Sequence, residues 1–386
     1  MYFSSLRTTA FRNLVDAEVF TGAKDVFLIG ENGQGKTNFL EALYFCAYAS
    51  SFRSAHDSEL AHNEFKNFSA EVKLSKSVND EILVKFENGK KLIFINGKRA
   101  EDRKDLLSVA PCIVFCHEDM DFVNGSPEKR RWFFDQTLSL YDPVYLEDLR
   151  RYRKVLKTRN TILRDYSQQK GNPQEILDAL DPQFASYGLK LMEKREKAAK
   201  EFSGVFSPLY EEVSGIGGIT VRYIQSWKKQ AAAKDSEGGT ACNPTVEQIL
   251  SHLKERQSHD IGAGISLSGP HRDRYQLSQI TVSSAQAAAH NGIDFTLKAS
   301  TGQRRLLALL LRTAQACRFS KETRQNPVLL LDDVLLEMDG EKRRKFITAL
   351  PSYDQAFYTF LPDEPYQRYK KDDTLVYYVN EGKFSA

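Results

Sequence analysis

The sequence predicts an α/β protein whose N- and C-terminal segments fold together as two lobes of one head, with a helical arm inserted between them. Three observations carry this. Near the start, the apolar run Val26-Phe27-Leu28-Ile29 leads directly into Gly30-Glu31-Asn32-Gly33-Gln34-Gly35-Lys36-Thr37. Roughly 300 residues later a second apolar run, Val328-Leu329-Leu330-Leu331, leads into Asp332-Asp333. Between them lies a stretch whose apolar residues recur at helical spacing: Tyr145, Leu149, Tyr152, Leu156 and Leu163 fall four, three, four and seven apart.

The first run is a buried strand feeding a Gly-x4-Gly-Lys-Thr loop. Backbone N–H groups of such a loop, at a helix start, cradle phosphates. The apolar pattern Phe39, Leu40, Leu43, Tyr44 supplies the helix. In this reading Lys36 reaches the β- and γ-phosphates of ATP or GTP and the Thr37 hydroxyl ligates Mg²⁺. Asp332 delivers a carboxylate to the same metal, and Asp333 a second toward the attacking water. Residues 30–37 form the nucleotide cradle.

The head continues on either side of the insertion. Leu6 to Phe11 and Ala17 to Phe20 read as a hairpin, and Ser69–Leu74, Ile82–Phe86 and Leu92–Ile95 as short strands with Asn88-Gly89 and Asn96-Gly97 at their turns. Cys112 to Cys116 is an apolar strand rather than a ligand pair. Five cysteines in odd number with no zinc spacing suit a reducing compartment. After Asn124-Gly125-Ser126-Pro127 the texture turns helical. A second helix is expected from about Pro182 to Phe202, a turn at Gly171-Asn172-Pro173, and a surface loop from Lys228 to Pro244. Strand texture returns near Ile265 to Leu267 and from Tyr275 to Val282, with a polar loop from Ser283 to Gly292. A long helix runs from about Gln303 to Phe319, and Ala356–Thr359 and Leu375–Val379 are the closing strands. The boundaries are 1–125 for the N-terminal lobe, 126–258 for the arm and 259–386 for the C-terminal lobe.

Composition limits the alternatives. The 386 residues carry a net charge of only +3, so nucleic-acid binding must come from local clustering. From Glu128 to Arg164 there are ten Lys or Arg against five Asp or Glu; Arg150, Arg151, Arg153, Lys154, Lys157 and Arg159 crowd the first arm helix. A cluster of this kind gives salt-dependent, sequence-independent affinity for DNA, or else is a solvated helix face. The N-terminus lacks the basic and apolar regions of a leader, and the apolar run Leu306–Leu311 ends at Arg312, too short to cross a membrane; a cytoplasmic protein is expected.

Ser300-Thr301-Gly302-Gln303 opens the long helix and makes a second anion-binding end. One phosphate site already exists at Lys36, so this one would be redundant in a monomer. In a head-to-tail dimer it faces the γ-phosphate held by the other subunit, as in ATP-binding-cassette heads.

Together these elements resemble the RecF family of bacterial DNA-repair ATPases, relatives of the SMC and Rad50 heads. The resemblance spans nearly the whole chain. It rests on Phe11-Arg12-Asn13, the phosphate loop, Asn124-Gly125-Ser126-Pro127-Glu128-Lys129-Arg130-Arg131, Gly269-Pro270-His271-Arg272-Asp273, Ser300-Thr301-Gly302-Gln303, and Leu331-Asp332-Asp333-Val334 with Glu337-Met338-Asp339. It implies an ABC-type P-loop ATPase head, with Arg12 and Asn13 near the nucleotide, Ser300 as the contact in trans, and Asp339 in a loop facing the partner subunit. It further implies an ATP-dependent homodimer on duplex or gapped DNA, hydrolysing ATP slowly and working with RecR and RecO to load RecA. Three departures stand out: His117 where the family reads Pro before Glu-Asp, Arg274 in place of a second Asp, and Arg304-Arg305 after the signature, expected to strengthen a basic dimer-facing or DNA-facing outward edge. An ATPase subunit of a membrane transporter is the alternative, disfavoured by the helical insertion and the Gly-Ser-Pro-x-x-Arg-Arg block.

Overall fold

A computed structural model describes residues 2–62, 65–75, 80–166, 172–227, 243–279, 294–335 and 338–386. Residues 228–242 of the loop expected from Lys228 to Pro244 (Cys242 among them), the loop expected at 283–292, residues 280–282, Gly171 and Glu337 lie outside the described residues. In chain order the strands are β1 (Phe3–Thr9), β2 (Glu18–Phe20), β3 (Asp25–Ile29), β4 (Phe68–Leu74), β5 (Glu81–Glu87), β6 (Lys90–Ile95), β7 (Lys98–Arg99), β8 (Cys112–Phe115), β9 (Ile219–Ile224), β10 (Arg274–Gln279), β11 (Val328–Leu331), β12 (Gln355–Phe360), β13 (Leu375–Asn380) and β14 (Lys383–Ser385). The helices are α1 (Lys36–Tyr48), α2 (Lys104–Val109), α3 (Met120–Asn124), α4 (Pro127–Ser139), α5 (Pro143–Arg164), α6 (Pro173–Ser214), α7 (Val246–Ala263), α8 (Thr301–Thr323) and α9 (Gly340–Ala349).

The chain divides into two units, one of residues 1–120, 212–214 and 300–386, the other of 121–211 and 215–299. The stretch 259–299, expected in the C-terminal lobe, therefore groups with the second unit. The reason is strand pairing: β10 pairs antiparallel with β9, a strand inside the insertion that the periodicity did not reveal.

The first unit holds two six-stranded sheets. One is antiparallel, in the order β2-β1-β4-β5-β6-β7. Its alternation is plain: Phe68, Ala70, Val72 and Leu74, then Ile82, Val84 and Phe86, bury one face against α1, while the residues between them face outward. The other, β14-β13-β3-β12-β11-β8, has a parallel centre whose strands β3, β12, β11 and β8 are buried along their whole length. Gln355 ties the sheets together. Its side-chain oxygen accepts from Phe3 N–H at 2.8 Å, and its amide nitrogen donates to the carbonyls of Phe3, Thr21 and Ala23. The strand expected at Cys112 is β8, with Cys112 and Cys116 buried and their thiols pushed up by that burial.

In the second unit α5 matches its apolar seam. The next helix is longer than expected: α6 starts at Pro173, capped by Asn172, and runs through Pro182 and Pro208, about 63 Å in all. Burial of Leu177 and Phe184 on either side of Pro182 offsets the backbone hydrogen bond the ring removes. Residues 265–267 form no strand, and Phe295–Leu297 is a single 3₁₀ turn.

Candidate nucleotide site

The parallel order β3-β12-β11 brings the C-terminal ends of the phosphate-loop strand and the Asp332 strand to one edge, with β12 between them. Thr37 Oγ1 donates to Asp332 Oδ1 at 2.9 Å, joining residues 295 apart in sequence. A hydroxyl and a carboxylate are hard oxygen donors suited to Mg²⁺, which keeps several waters and takes further oxygens from phosphate. Asp332 is buried, and burial together with the neighbouring Asp333 pushes its carboxyl up to about 7. A bound divalent cation is what would favour its charge there.

Lys36 is almost fully buried. Its ammonium donates to the carbonyls of Gly30 at 2.6 Å and Glu31 at 3.0 Å, which folds the side chain back across the loop, and burial lowers its pKa. Gly35 has φ 114°, a conformation reserved for glycine, and leaves α1 without a side-chain cap. Gly30 has a different constraint: a Cβ there would lie 2.4 Å from the carbonyl oxygen of Val379.

Around this core sit residues that single motifs do not reveal. Thr359, on the intervening strand β12, places its hydroxyl 3.2 Å from Asp332 Oδ1 and 3.0 Å from Asp333 Oδ1, and accepts from Asp333 N–H at 2.7 Å. That bond holds Asp333 in a left-handed conformation, φ 49°, which aspartate tolerates better than most residues. Gln34 is held by the C-terminal hairpin: its carbonyl accepts from Gly382 N–H and its side-chain oxygen from Glu381 N–H.

Asn13 meets the loop, donating to Gly33 O at 2.9 Å and accepting from Asn38. Arg12 acts differently. Its guanidinium makes two bonds of 3.0 Å to Glu41, a fully buried carboxylate of α1, and others to Ser54 and to Glu59 O. It anchors the helix behind the loop. Arg53 donates to Asn38 at 3.2 Å.

Ser300 caps α8. Its hydroxyl accepts from Gln303 N–H at 3.3 Å, and the Gln303 side chain accepts from Ser300 N–H at 2.8 Å. Gly302 is exposed, and a Cβ there would meet nothing within 4 Å. Asp339 caps α9 through Lys342 N–H. Arg305 does not form an outward basic edge: it is buried, 2.9 Å from His117 Nδ1.

In the second unit the basic residues sort by burial. Arg150, Arg151, Lys154 and Lys157 are exposed on α5, whereas Arg159 is buried between Asp181, Asp260 and Ser266. Arg195 is likewise spent on Asp135 and Pro270 O. The Gly-Ser-Pro-x-x-Arg-Arg and Gly-Pro-His-Arg-Asp blocks meet in this polar core. Arg131 donates to Asp273 O at 2.7 Å, Asp273 accepts from Tyr223 and Ser226 N–H, and His271 pairs with Tyr152. Burial pulls the His271 imidazole down to about 4.

A Gly-x4-Gly-Lys-Thr loop after β3, an acidic pair after β11 and a strand between them define the class as an ABC-type P-loop ATPase head. The profile of the RecF/RecN/SMC N-terminal domain matches residues 2–380. A DNA replication and repair protein RecF from Treponema pallidum (strain Nichols) is 40% identical over 374 residues, covering 96% of this chain and 97% of that one. A solved structure of the recombination mediator protein RecF with ATP, in the RecFOR pathway, superposes with a TM-score of 0.81 at 25% identity, covering 100% of this chain and 97% of that chain. The Smc head bound to the C-winged helix domain of ScpA shares the fold, with a TM-score of 0.54 at 16% identity, covering 100% and 96%. The chain belongs to the RecF family. Among the described residues no helix is long and apolar enough to cross a membrane.

Proposed function

We propose that this chain is an ATP-gated DNA-binding factor of recombinational repair. ATP binds the loop Gly30–Thr37, closes a head-to-tail homodimer on duplex or gapped DNA through Ser300, Gly302 and Gln303 of the partner copy, and is hydrolysed slowly, with DNA as stimulus, to reopen it. With RecO and RecR it promotes RecA loading at single-strand gaps, acting in the cytoplasm. The Thr37–Asp332 hydrogen bond of 2.9 Å carries the reading, because it makes one oxygen-donor pair out of the two ends of the chain.

Each residue has a task. Lys36 exchanges its carbonyl partners for phosphate oxygens, a charge-assisted trade that favours bound triphosphate. Thr37 and Asp332 would hold Mg²⁺, which supplies neutralisation of the β- and γ-phosphate oxygens. Asp333, held by Thr359, orients water. Gly302 supports the trans contact: an exposed helical glycine costs about 1 kcal/mol relative to alanine, and no neighbour among the described residues requires it. Arg150, Arg151, Lys154 and Lys157 on the exposed side of α5 supply phosphate contacts without base readout.

The test is solution mass, by light scattering after gel filtration, with and without ATP and gapped DNA. The expected result is a monomer that doubles with ATP and is held longest on DNA. A mass indifferent to ATP would overturn the gating.

A further inference from the structure

A cleft of about 170 Å³ opens in the second unit, where α4 packs on α5. Helix periodicity makes its walls. Arg131, Trp132 and Asp135 follow Glu128 by three, four and seven residues, along one side of α4. Leu149, Tyr152 and Arg153 share a side of α5 in the same way. Arg195 of α6 and His271 complete the lining. The volume is well below the roughly 300–1,000 Å³ of a cofactor pocket and leaves room for a group the size of one base or one phosphate.

Bonding within the cleft leaves a surplus of positive charge. Arg195 holds Asp135 through two bonds of 2.8 and 3.0 Å, and Arg153 reaches the same carboxylate at 3.3 Å. The other acid of the lining, Glu128, is exposed. His271 adds no charge: Ser266 O, which can only accept, takes its Nε2–H at 2.9 Å, and Nδ1 accepts from the Tyr152 hydroxyl at 2.7 Å. Arg131 spends one N–H on Asp273 O at 2.7 Å, while burial and the nearby Arg195 both act against its charge. An anion beside Arg131 and Arg153 would offset that cost.

Trp132 supplies the second half of the site. Its indole is 45% exposed, with one face set against Phe122 at 5.9 Å and 28°. An exposed aromatic ring beside arginines is the arrangement on which unpaired bases stack, whereas a base within a duplex is already stacked on its neighbours. Arg153 also belongs to an exposed stripe of α5, in which Arg153, Lys154 and Lys157 follow Arg150 by three, four and seven residues. A DNA strand tracked by that stripe is led to the cleft.

We propose that the cleft holds one nucleotide of an unpaired DNA strand, its phosphate between Arg131 and Arg153 and its base on the Trp132 indole. This deepens, and rests on, the DNA-binding reading above. It lets the protein tell a gap from continuous duplex without reading sequence, because every base has a face that stacks.

The test uses the full chain with ATP and Mg²⁺, an oligothymidylate strand, thymidine monophosphate, and gapped and continuous duplexes of equal length. The chain has two tryptophans, and Trp227 is buried and bonded to Ser268, so the emission that Trp132→Phe removes is that of Trp132. Oligothymidylate and gapped duplex should quench it; continuous duplex and the monophosphate, at equal nucleotide concentration, should not. Trp132→Ala should bind gapped duplex about tenfold more weakly, the worth of one stacked base, and continuous duplex within about twofold of the parent. W132F keeps a ring and should recover most of that loss. Arg153→Gln should lower the salt dependence on gapped duplex by about one phosphate contact. W132A weakening both duplexes equally, or neither, would overturn the inference. Quenching by the monophosphate equal to that by the strand would assign the cleft to a free nucleotide and overturn it as well. A parent protein that binds none of these DNAs would instead overturn the DNA-binding reading, and the cleft's role with it.

Discussion

The helices α1 and α8 both begin beside glycines, yet they treat the N–H groups of their first turns in opposite ways. At α1 the capping position is Gly35, in a left-handed conformation and with no side chain to offer, so the first turn presents its N–H groups outward. At α8 the Ser300–Gln303 box occupies two of those donors from within the chain. The first helix end is built to receive an anion directly. The second has a ready partner of its own: the Ser300 oxygen accepts from Gln303 N–H, which leaves its O–H free to donate to a phosphate. On the proposed function, the open end is the one filled by each ATP that arrives, and the capped end is the one that meets a nucleotide only when a second subunit docks.

The sharpest way to break this contrast is at the open end. Lys36→Ala should weaken ATP binding about 100-fold or more, as two loop carbonyls and the phosphates lose their only ammonium, measured with a fluorescent analogue. Unchanged affinity would mean that α1 is not the primary phosphate site. At the capped end Ser300→Arg should leave nucleotide affinity within about twofold while removing ATP-dependent dimers, because a bulky cation cannot enter the interface. Dimers surviving by light scattering would defeat the trans role. Gly302→Ala separates stability from function. Replacing an exposed helical glycine should stabilise the fold by about 0.5–1 kcal/mol while weakening the ATP-bound dimer. A stabilised variant that dimerises normally would make Gly302 incidental. The smallest effect is expected far from either helix end: Lys154→Glu with Lys157→Glu should lower DNA affinity evenly across sequences and flatten its salt dependence by about two phosphate contacts, with ATP binding unaltered.

Much of the site was legible because its signals are local. Gly30 to Thr37 need only the right residues at the right spacing after an apolar run, and a capping box is likewise confined to four residues. The acid pair after Val328–Leu331 was readable for the same reason, and its union with Thr37 followed from recognising both halves. Charge was read less well. Arg159, Arg195 and Arg305 are of the same residue types as Arg150 and Arg151, but the first three are buried on acids, carbonyls or an imidazole. A basic count along a helix cannot separate the two groups, because the partners that neutralise a buried arginine come from distant parts of the chain. Arg12 illustrates the same point. Its neighbour in sequence touches the loop, while Arg12 itself turns away to Glu41.

The sequence by itself determined that there is a Gly-x4-Gly-Lys-Thr loop after a buried strand, an acidic pair after another and a Ser-capped helix start, because hydrogen-bonding capacity and backbone freedom reside in the residues themselves. Only the tertiary structure decided that β12 slides between β3 and β11, that Thr359 thereby steadies both acids, and that β10 joins β9 instead of the C-terminal lobe. Those outcomes depend on which strands pair, a choice made by burial summed over whole sheets and carried by no short run of residues.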